Sequence, residues 1–242
     1  YMAEAGLFKG YEAALIIHPG GENEVGGTSL ATHPLEVTFH GRSCHIASLT
    51  DSGINALDCA VELYQKIKEL KKTFPRGAIV GAIFTEAGTA PNVVTPKATI
   101  RMTVRGSTVD DLEGIILPAI KAAAQEIAAS YGAQVEMHHY EPLFKDMRQD
   151  KKLLDLFKDV MTEFGEIPRI LPDDEADGST DVGNVSYEVP TAQPTLQIGL
   201  GLEPHTPEFT CAAGSDYGLA QAIKGAKIMV VVALRYALLR DA

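Results

Sequence analysis

The chain has 242 residues, a formal net charge of −11 and 45% hydrophobic residues. This length suits one large domain or two small ones, and the hydrophobic content is ordinary for a globular protein with a sizeable core. The acidic balance argues against nucleic acid or an anionic membrane as the main partner. The longest apolar run, Ile228 to Leu234, is far shorter than the ~20 residues that a membrane-spanning helix needs.

The three cysteines, Cys44, Cys59 and Cys211, are odd in number and form no C-x-x-C pair. This pattern fits a reducing compartment better than a disulfide framework. We therefore expect a cytoplasmic protein.

A first block, residues 1–33, belongs to the first part of an α/β domain. The apolar run "AALII" predicts a short buried strand over 13–17. His18, Pro19 and Gly20 then predict a turn that leads into a glycine-rich loop, "HPGGENEVGG".

A second block, residues 34–145, has a strand and helix pattern of its own. "PLEVTFHG" alternates as a strand, and a helix follows with Asp51 or Ser52 as its cap. One face of that helix carries Ile54, Leu57, Val61, Tyr64 and Ile67.

The second block continues with "GAIVGAIFTEAG" and "KATIRMTVRGS", which predict two strands joined by a proline-containing loop. A second helix then has Thr108 as its cap, a kink at Pro118 and a stop at Gly132, before a last strand in "AQVEMHHYEPLF". This βαββαβ order predicts a ferredoxin-like domain inserted into the α/β layer.

The third block, residues 146–242, supplies the second part of the α/β domain. It predicts a helix, an acidic loop "PDDEADGSTDVGN", a strand "TLQIG", a loop "LEPHTPEFT" and a long C-terminal helix from about residue 215. Because "IMVVVALRYALL" is nearly all apolar, we expect this helix to be buried against a sheet.

Two histidines follow predicted strands of the α/β layer. His18 comes after the first strand, and His205 comes a few residues after "TLQIG". Ligand sites of open α/β sheets gather at the carboxyl ends of strands, and neutral imidazole is a common metal ligand. A loop histidine is equally compatible with a purely structural role, and two ligands make only half of a zinc site.

Other candidates have structural alternatives. Gly178, Ser179, Thr180 and Asp181 offer amides, hydroxyls and a carboxylate for a substrate, although these residues can also simply cap a helix. Arg105 can bind a carboxylate in a bidentate manner, although an arginine on a strand is usually a solvated residue.

The motifs, in chain order, resemble the aminoacylase and carboxypeptidase family of two-metal hydrolases. They are His-Pro after a strand, "F-x-G-x-x-x-H-x-A-S" at Phe39–Ser48, "N-V-V-T-P-x-A-x-x-x-x-x-x-R" from Asn92 to Arg105, "GSTDVGNVS", and "P-H-T" at His205. The closest similarity is to the amidohydrolase branch, which includes p-aminobenzoyl-glutamate hydrolase and the aminoacylase-like dipeptidases. The resemblance covers essentially the whole chain.

The resemblance implies a zinc-peptidase-type α/β domain interrupted by a ferredoxin-like lid that dimerises. It implies that His18 and His205 bind a divalent metal, Zn or Mn, with up to two ions in the complete protein. His45 would stabilise the oxyanion, commonly in the partner subunit's site. Asn92 and Arg105 would bind the substrate's carboxylate end, and Gly178, Ser179, Thr180 and Asp181 would face the substrate.

The implied activity is hydrolysis of amide bonds in N-acyl or N-aroyl amino acids, such as p-aminobenzoyl-glutamate, or in small dipeptides. Metal-activated water attacks the amide in this chemistry, and a Glu moves the proton. The family's Glu base and its other ligands would lie upstream of Tyr1. We therefore expect a C-terminal fragment that is inactive alone. The alternative is a noncatalytic dimerisation or binding module.

Overall fold

The computed structural model describes residues 1–47, 52–176 and 178–240. Its strands are β1 (Ala14–Leu15), β2 (His18–Gly20), β3 (Glu24–Thr28), β4 (Ala31–Thr32), β5 (Leu35–His40), β6 (Ile79–Glu86), β7 (Lys97–Gly106), β8 (Gln134–His138), β9 (Arg169–Ala176), β10 (Thr191–Ala192) and β11 (Thr195–Gln197). Its helices are α1 (Ala56–Leu70), α2 (Val109–Asp111), α3 (Leu117–Tyr131), α4 (Lys151–Glu163), α5 (Val182–Ser186), α6 (Pro207–Ala213) and α7 (Asp216–Arg240), with a π-helical segment (Leu112–Ile116) between α2 and α3. None of these helices has both the length and the apolar content that crossing a membrane requires.

The chain divides into two compact units. Leu30–Asp146 forms one, which we call the inserted unit, and Tyr1–Ser29 with Met147–Ala242 forms the other, which we call the terminal unit. Each unit has its own cluster of buried apolar side chains.

The inserted unit is a ferredoxin-like fold, as the βαββαβ pattern predicts. Its strands run antiparallel in the order β6-β7-β5-β8, with the short β4 also paired to β7. Alternate residues of β7 are fully buried and contribute to one core together with α1 and α3; they are Ala98, Ile100, Met102 and Val104. This alternation places the remaining β7 side chains on the opposite face of the sheet.

The start of α1 differs from the prediction. Asn55, not Ser52, is the cap, since its side-chain oxygen accepts a hydrogen bond from the backbone N–H of Leu57 at 3.1 Å. Asp51, the other predicted cap, lies outside the described residues. The buried face is also rotated: it consists of Ala56, Cys59, Ala60, Leu63 and Ile67. Val61, which we expected on that face, is 38% exposed.

The second helical stretch of the inserted unit begins and ends where the sequence predicts. The Thr108 hydroxyl accepts a hydrogen bond from the N–H of Asp111 at 3.1 Å. Gly132 ends α3 in the left-handed conformation, with φ of 67°. The expected irregularity near Pro118 takes the form of the π-helical segment immediately before α3.

The terminal unit combines parallel and antiparallel pairs. β2 pairs with β11 in parallel, β11 pairs with β3 antiparallel, and β3 pairs with β9 in parallel; β1 and β10 form a separate parallel pair. Apolar side chains from α4, α7 and these strands form the core, and the largest of them is Phe157.

Two segments predicted as loops are strands in the structure. The glycine-rich segment contains β2 and β3, and the acidic segment "PDDEA" is the second half of β9. A Cβ added at Gly26, where φ is 104°, would lie 2.7 Å from the carbonyl oxygen of Leu171. Glycine therefore permits β3 to approach β9 closely, so a composition typical of a loop forms a strand here.

Helix α7 is buried on one side only, so the burial that we expected from its apolar sequence is met in part. Ile228 and Val232 are fully buried, whereas Val230, Leu234 and Leu238 are 59%, 62% and 70% exposed. Within the described residues, therefore, only one side of α7 packs in the core, against α4 and β11.

Candidate functional site

His18 is the first residue of strand β2, so residues 18–20 are not themselves a turn, in contrast to the prediction. Its ring is exposed, and Nδ1 lies 2.7 Å from the carbonyl oxygen of Pro19. A carbonyl can only accept, so Nδ1–H is the donor and Nε2 keeps its lone pair in the neutral ring. Nε2 is therefore the nitrogen that can bind a metal.

His205 lies eight residues beyond the end of β11 at Gln197, in a loop that we call the His205 loop, residues 199–206. Because β2 and β11 are parallel neighbours, with His18 opposite Thr195, the strand that begins with His18 lies beside the strand that leads to His205. His205 has φ of +63° and is, within the described residues, the non-glycine with positive φ. Backbone strain of this kind costs about 1–3 kcal/mol and is typical of functional positions.

The His205 loop is fixed at both of its ends. The backbone N–H of Gly201 donates to the carbonyl of Gly21 at 3.1 Å. At the other end, Thr206 caps α6: its hydroxyl accepts from the N–H of Phe209 at 3.2 Å and donates to the carbonyl of Glu203 at 2.8 Å. Helix α6 thus begins inside the segment that we predicted as a loop.

A buried polar network, which we did not predict, lies at the carboxyl ends of β2 and β11. Its centre is Glu166, which accepts hydrogen bonds from Lys224, Gln221 and Asn23. Burial alone would raise the pKa of Glu166, but these hydrogen bonds outweigh it and hold that pKa below its ordinary value. The Glu166 carboxylate is therefore ionised at neutral pH, and both of its oxygens accept hydrogen bonds.

The fit to a metal ion is incomplete. The described ranges contain no group of three or more His, Cys, Asp or Glu side chains arranged to hold a metal. A catalytic zinc site takes three protein ligands, so His18 and His205 do not form one by themselves. Any metal bound here needs ligands from outside the described residues.

The glycine–serine–threonine turn precedes the short helix α5. Thr180 uses its hydroxyl to accept from the N–H of Val182 at 3.3 Å, and Asp181 makes no capping hydrogen bond from its side chain. The Ser179 hydroxyl oxygen is buried without a hydrogen-bond partner in the described part of the chain. Gly178 has φ of 56°, so the turn needs glycine there.

His45 and Asn92 are neighbours in the inserted unit. The backbone N–H of Ile46 donates to the carbonyl of Asn92 at 3.1 Å, and the N–H of Val94 donates to the carbonyl of Cys44 at 2.9 Å. The His45 ring is exposed, and its Nδ1 accepts from the N–H of Ala47 at 3.1 Å. The neutral ring therefore carries its proton on Nε2, which is free to donate.

Arg105 lies at the other end of the same sheet. It is eight residues beyond Lys97, which opens β7, whereas Asn92 precedes that strand. At about 3.3 Å per residue, this separation is roughly 26 Å along the strand. Among the described residues Arg105 makes no ion pair, whereas Arg101, four residues earlier on the same face, is paired with Glu36.

Comparison with known proteins agrees with this architecture. Residues 34–132 match the peptidase dimerisation domain of the M20 type. The chain is 28% identical over 236 residues to the Xaa-Arg dipeptidase of Mus musculus, which covers 96% of this chain and 54% of that protein. The chain thus spans about half the length of the curated relatives that it matches.

Two solved structures have the same fold. A putative aminohydrolase from methicillin resistant Staphylococcus aureus superposes with a TM-score of 0.74 at 15% identity, covering 97% of this chain and 62% of that one. The aminobenzoyl-glutamate utilization protein from Klebsiella pneumoniae superposes with a TM-score of 0.66 at 17% identity, covering 88% and 55%.

The matches are to M20 peptidases and amidohydrolases, and the relatives named here are hydrolytic enzymes. The resemblance found in the motifs is thereby confirmed.

Proposed function

We propose that this chain is part of a metal-dependent hydrolase of amide bonds in N-acyl or N-aroyl amino acids, such as p-aminobenzoyl-glutamate, or in small dipeptides. The observation that carries the proposal is the similarity to Xaa-Arg dipeptidase, which extends over 96% of the chain. We further propose a cytoplasmic location, supported by three free cysteines.

His18 and His205 would hold a divalent ion, Zn or Mn, with further ligands from outside the described residues. Up to two ions would bind in the complete protein. When bound, such an ion lowers the pKa of water and polarises a carbonyl oxygen. The free Nε2 of His18 supports this assignment.

The inserted unit would supply the groups that bind and stabilise the reacting substrate. The Nε2–H of His45 would donate to the oxyanion that forms at the amide carbon. Asn92 and Arg105 would bind the substrate's carboxylate, and the guanidinium of Arg105, which makes no ion pair within the described ranges, suits that role. The turn formed by Gly178, Ser179, Thr180 and Asp181 would face the substrate in the terminal unit.

The proposed site needs two copies of the chain. His45 and Asn92 lie near one end of β7, and Arg105 lies near the other end. A small amide cannot contact both ends. Within one copy of the chain, these groups would therefore act on different substrate molecules. In a homodimer formed through the inserted unit, each site would combine Arg105 from one copy with His45 from the other copy.

The two edges of the inserted sheet differ in a way that favours β6 as the dimer contact. β6 exposes Ile79, Ile83 and Phe84. The opposite edge, β8, exposes the polar side chains of Gln134, Glu136 and His138. Polar and charged side chains on an edge strand disfavour pairing with a strand of another molecule. An apolar edge strand is the better candidate for pairing with a second copy.

The proposal is tested by assaying the full-length protein against a panel of amides. The panel contains dipeptides that end in Arg, N-acetyl amino acids and p-aminobenzoyl-glutamate, each with and without a chelator. We expect at least one class to be hydrolysed, and we expect the chelator to abolish its turnover. Hydrolysis that resists exhaustive chelation contradicts the metal, and no hydrolysis of any class contradicts the activity.

The alternative, a noncatalytic dimerisation module, is favoured by one observation: the described residues lack a complete metal site. Light scattering of the 242-residue chain, with and without metal, separates the two. A stable metal-independent dimer without turnover, in the long form as well, supports the module. A strictly monomeric chain counts against any dimerising role.

A further inference from the structure

The network centred on Glu166 joins four elements of the terminal unit. Glu166 follows α4, where Gly165 has φ of 81° and the N–H of Glu166 donates back to the carbonyl of Met161 at 2.9 Å. This helix ending turns the Glu166 side chain into the interior, where the residue is only 8% exposed. A carboxylate this buried has to be satisfied by hydrogen bonds.

One side of the carboxylate is bound by α7. Lys224 and the almost fully buried Gln221 both donate to Oε1. Gln221 also donates to the carbonyl oxygen of Gln197, the last residue of β11, at 2.9 Å. The end of β11 is therefore held by a side chain that Glu166 itself orients.

The other side of the carboxylate reaches the β2–β3 turn. Asn23 donates to Oε2 at 2.8 Å, and its own side-chain oxygen accepts from the backbone N–H of Gln197 at 2.8 Å. The side chain of Gln197 donates in turn to the carbonyl of Gly21 at 3.1 Å. The same carbonyl accepts from Gly201 in the His205 loop.

The β2–β3 turn and the His205 loop are in close contact, so that no side chain fits between them at Gly21. A Cβ added at Gly21 would lie 2.6 Å from the carbonyl oxygen of Leu202. A shift of the turn would therefore displace the loop, whose strained residue is His205. The chain of contacts runs from Glu166 through Asn23 and Gly21 to that loop.

We propose that Glu166 is a positioning residue for His205, acting through Asn23 and the β2–β3 turn. The proposal rests on the role proposed above for His205 as a metal ligand. Glu166 touches no substrate in this scheme. It fixes the backbone from which the His205 ring projects.

A matched control is present in the same pair of helices. Glu163, near the end of α4, forms an exposed ion pair with Arg235 of α7 at 2.7 Å. This pair joins α4 to α7 as Glu166 and Lys224 do, but it has no contact to the β2–β3 turn among the described residues. Glu163→Ala therefore removes a link between the helices without affecting the loop.

The test is amide hydrogen exchange on the 242-residue chain. In Glu166→Ala and in Asn23→Ala, peptides that cover residues 199–206 should exchange roughly tenfold faster, the factor expected when one charge-assisted hydrogen bond is lost. Glu163→Ala should leave them unchanged. If Glu166→Ala does not fold, Asn23→Ala still carries the test, because it retains the pair between Glu166 and Lys224.

A second measurement excludes a purely structural effect. The ring signals of His205 in NMR spectra should shift or broaden in Asn23→Ala, whereas those of His138, which belongs to the inserted unit, should not. Equal exchange in the loop for all three variants, or a uniform increase over the whole terminal unit, overturns the proposal.

Neither readout needs metal or turnover. If the amide panel is not hydrolysed while the loop responds, the proposed function fails and the coupling stands. If hydrolysis is seen and the loop does not respond, the positioning role fails alone.

Discussion

His45 and Asn92 lie near each other across a short antiparallel bridge that pairs His45 with Val93 and in which the N–H of Ile46 donates to the carbonyl of Asn92 at 3.1 Å. They are 47 positions apart in the sequence, so this pairing is a product of the fold. It presents an imidazole donor and an amide on one edge of the inserted unit, at the end remote from Arg105.

Replacement of His45 tests its role as an oxyanion donor. We expect His45→Ala to lower kcat of the full-length protein by about 10²–10³-fold with little change in KM, the range seen for loss of one such donor. His45→Gln, which retains an N–H, should lose less. Steady-state kinetics on the hydrolysed amide gives both values. His138→Ala is the control, and a His45→Ala enzyme with kcat equal to wild type would rule the role out.

Arg105 and Arg101 form a matched pair for testing recognition of the carboxylate. Arg105→Ala should raise KM for a carboxylate-bearing substrate by roughly tenfold to a hundredfold, because a charge-assisted hydrogen bond is lost. Arg101→Ala should leave KM unchanged, since Glu36 already neutralises that side chain. The check is a substrate in which a carboxamide replaces the carboxylate. Arg105→Ala should leave KM for that substrate unchanged. Equal losses for both arginines would contradict the assignment.

The apolar edge of β6 provides a test of the dimer. Ile83, 64% exposed, should tolerate lysine without loss of folding, yet Ile83→Lys should convert the dimer to a monomer by placing a charge at the contact. Gln134→Lys on β8 is the control and should remain dimeric. Light scattering measures the mass, and thermal unfolding checks that both variants fold. A dimeric Ile83→Lys protein would place the contact elsewhere.

Stability should depend on pH through His139. The ring of His139 is stacked on that of His33, with 3.4 Å between the ring centroids, and His33 also pairs with Glu113. The Nδ1–H of His139 donates to the carbonyl of Pro34, and its Nε2 accepts from Lys121 at 2.9 Å. Burial and the neighbouring His33 lower the pKa of His139 below its ordinary value of 6.5.

A lowered pKa means that the unfolded chain binds the proton more readily than the folded one. The stabilisation from neutral His139 is therefore complete above pH 6.5 and is lost as the pH falls from there toward the pKa of the folded state. Urea unfolding at a series of pH values should show this decline, and His139→Asn should show a smaller one. Identical pH profiles would argue against a role for His139.

Local patterns in the sequence were sufficient for the inserted unit. The alternation in Leu35–His40 and the glycine at position 132 predict a strand and a helix end that the structure contains. These features depend on neighbouring residues, so the sequence shows them directly. The cap of α1 was missed because Asn55 and Ser52 are both good caps, and only the packing of the helix selects between them.

The terminal unit was predicted less well because its strands depend on distant partners. The segment that contains β9 has the composition of a loop, yet pairing with β3, more than 140 residues earlier, makes it a strand. The Glu166 network could not be predicted for the same reason: Asn23 and Glu166 are 143 positions apart. His18 and His205 could be chosen as candidates because strand ends and imidazoles are visible in the sequence, whereas their mutual arrangement depends on β2 and β11 pairing in parallel.

The role of His18 as a metal ligand can be tested by elemental analysis of metal per chain, comparing the full-length protein with its His18→Ala variant and with the 242-residue chain. We expect one or two ions in the full-length protein, a loss of bound metal and of hydrolysis in His18→Ala, and no metal in the 242-residue chain. Stoichiometric metal in the His18→Ala protein would contradict the assignment of His18. Stoichiometric metal in the 242-residue chain alone would contradict the proposal that the remaining ligands come from outside the described residues.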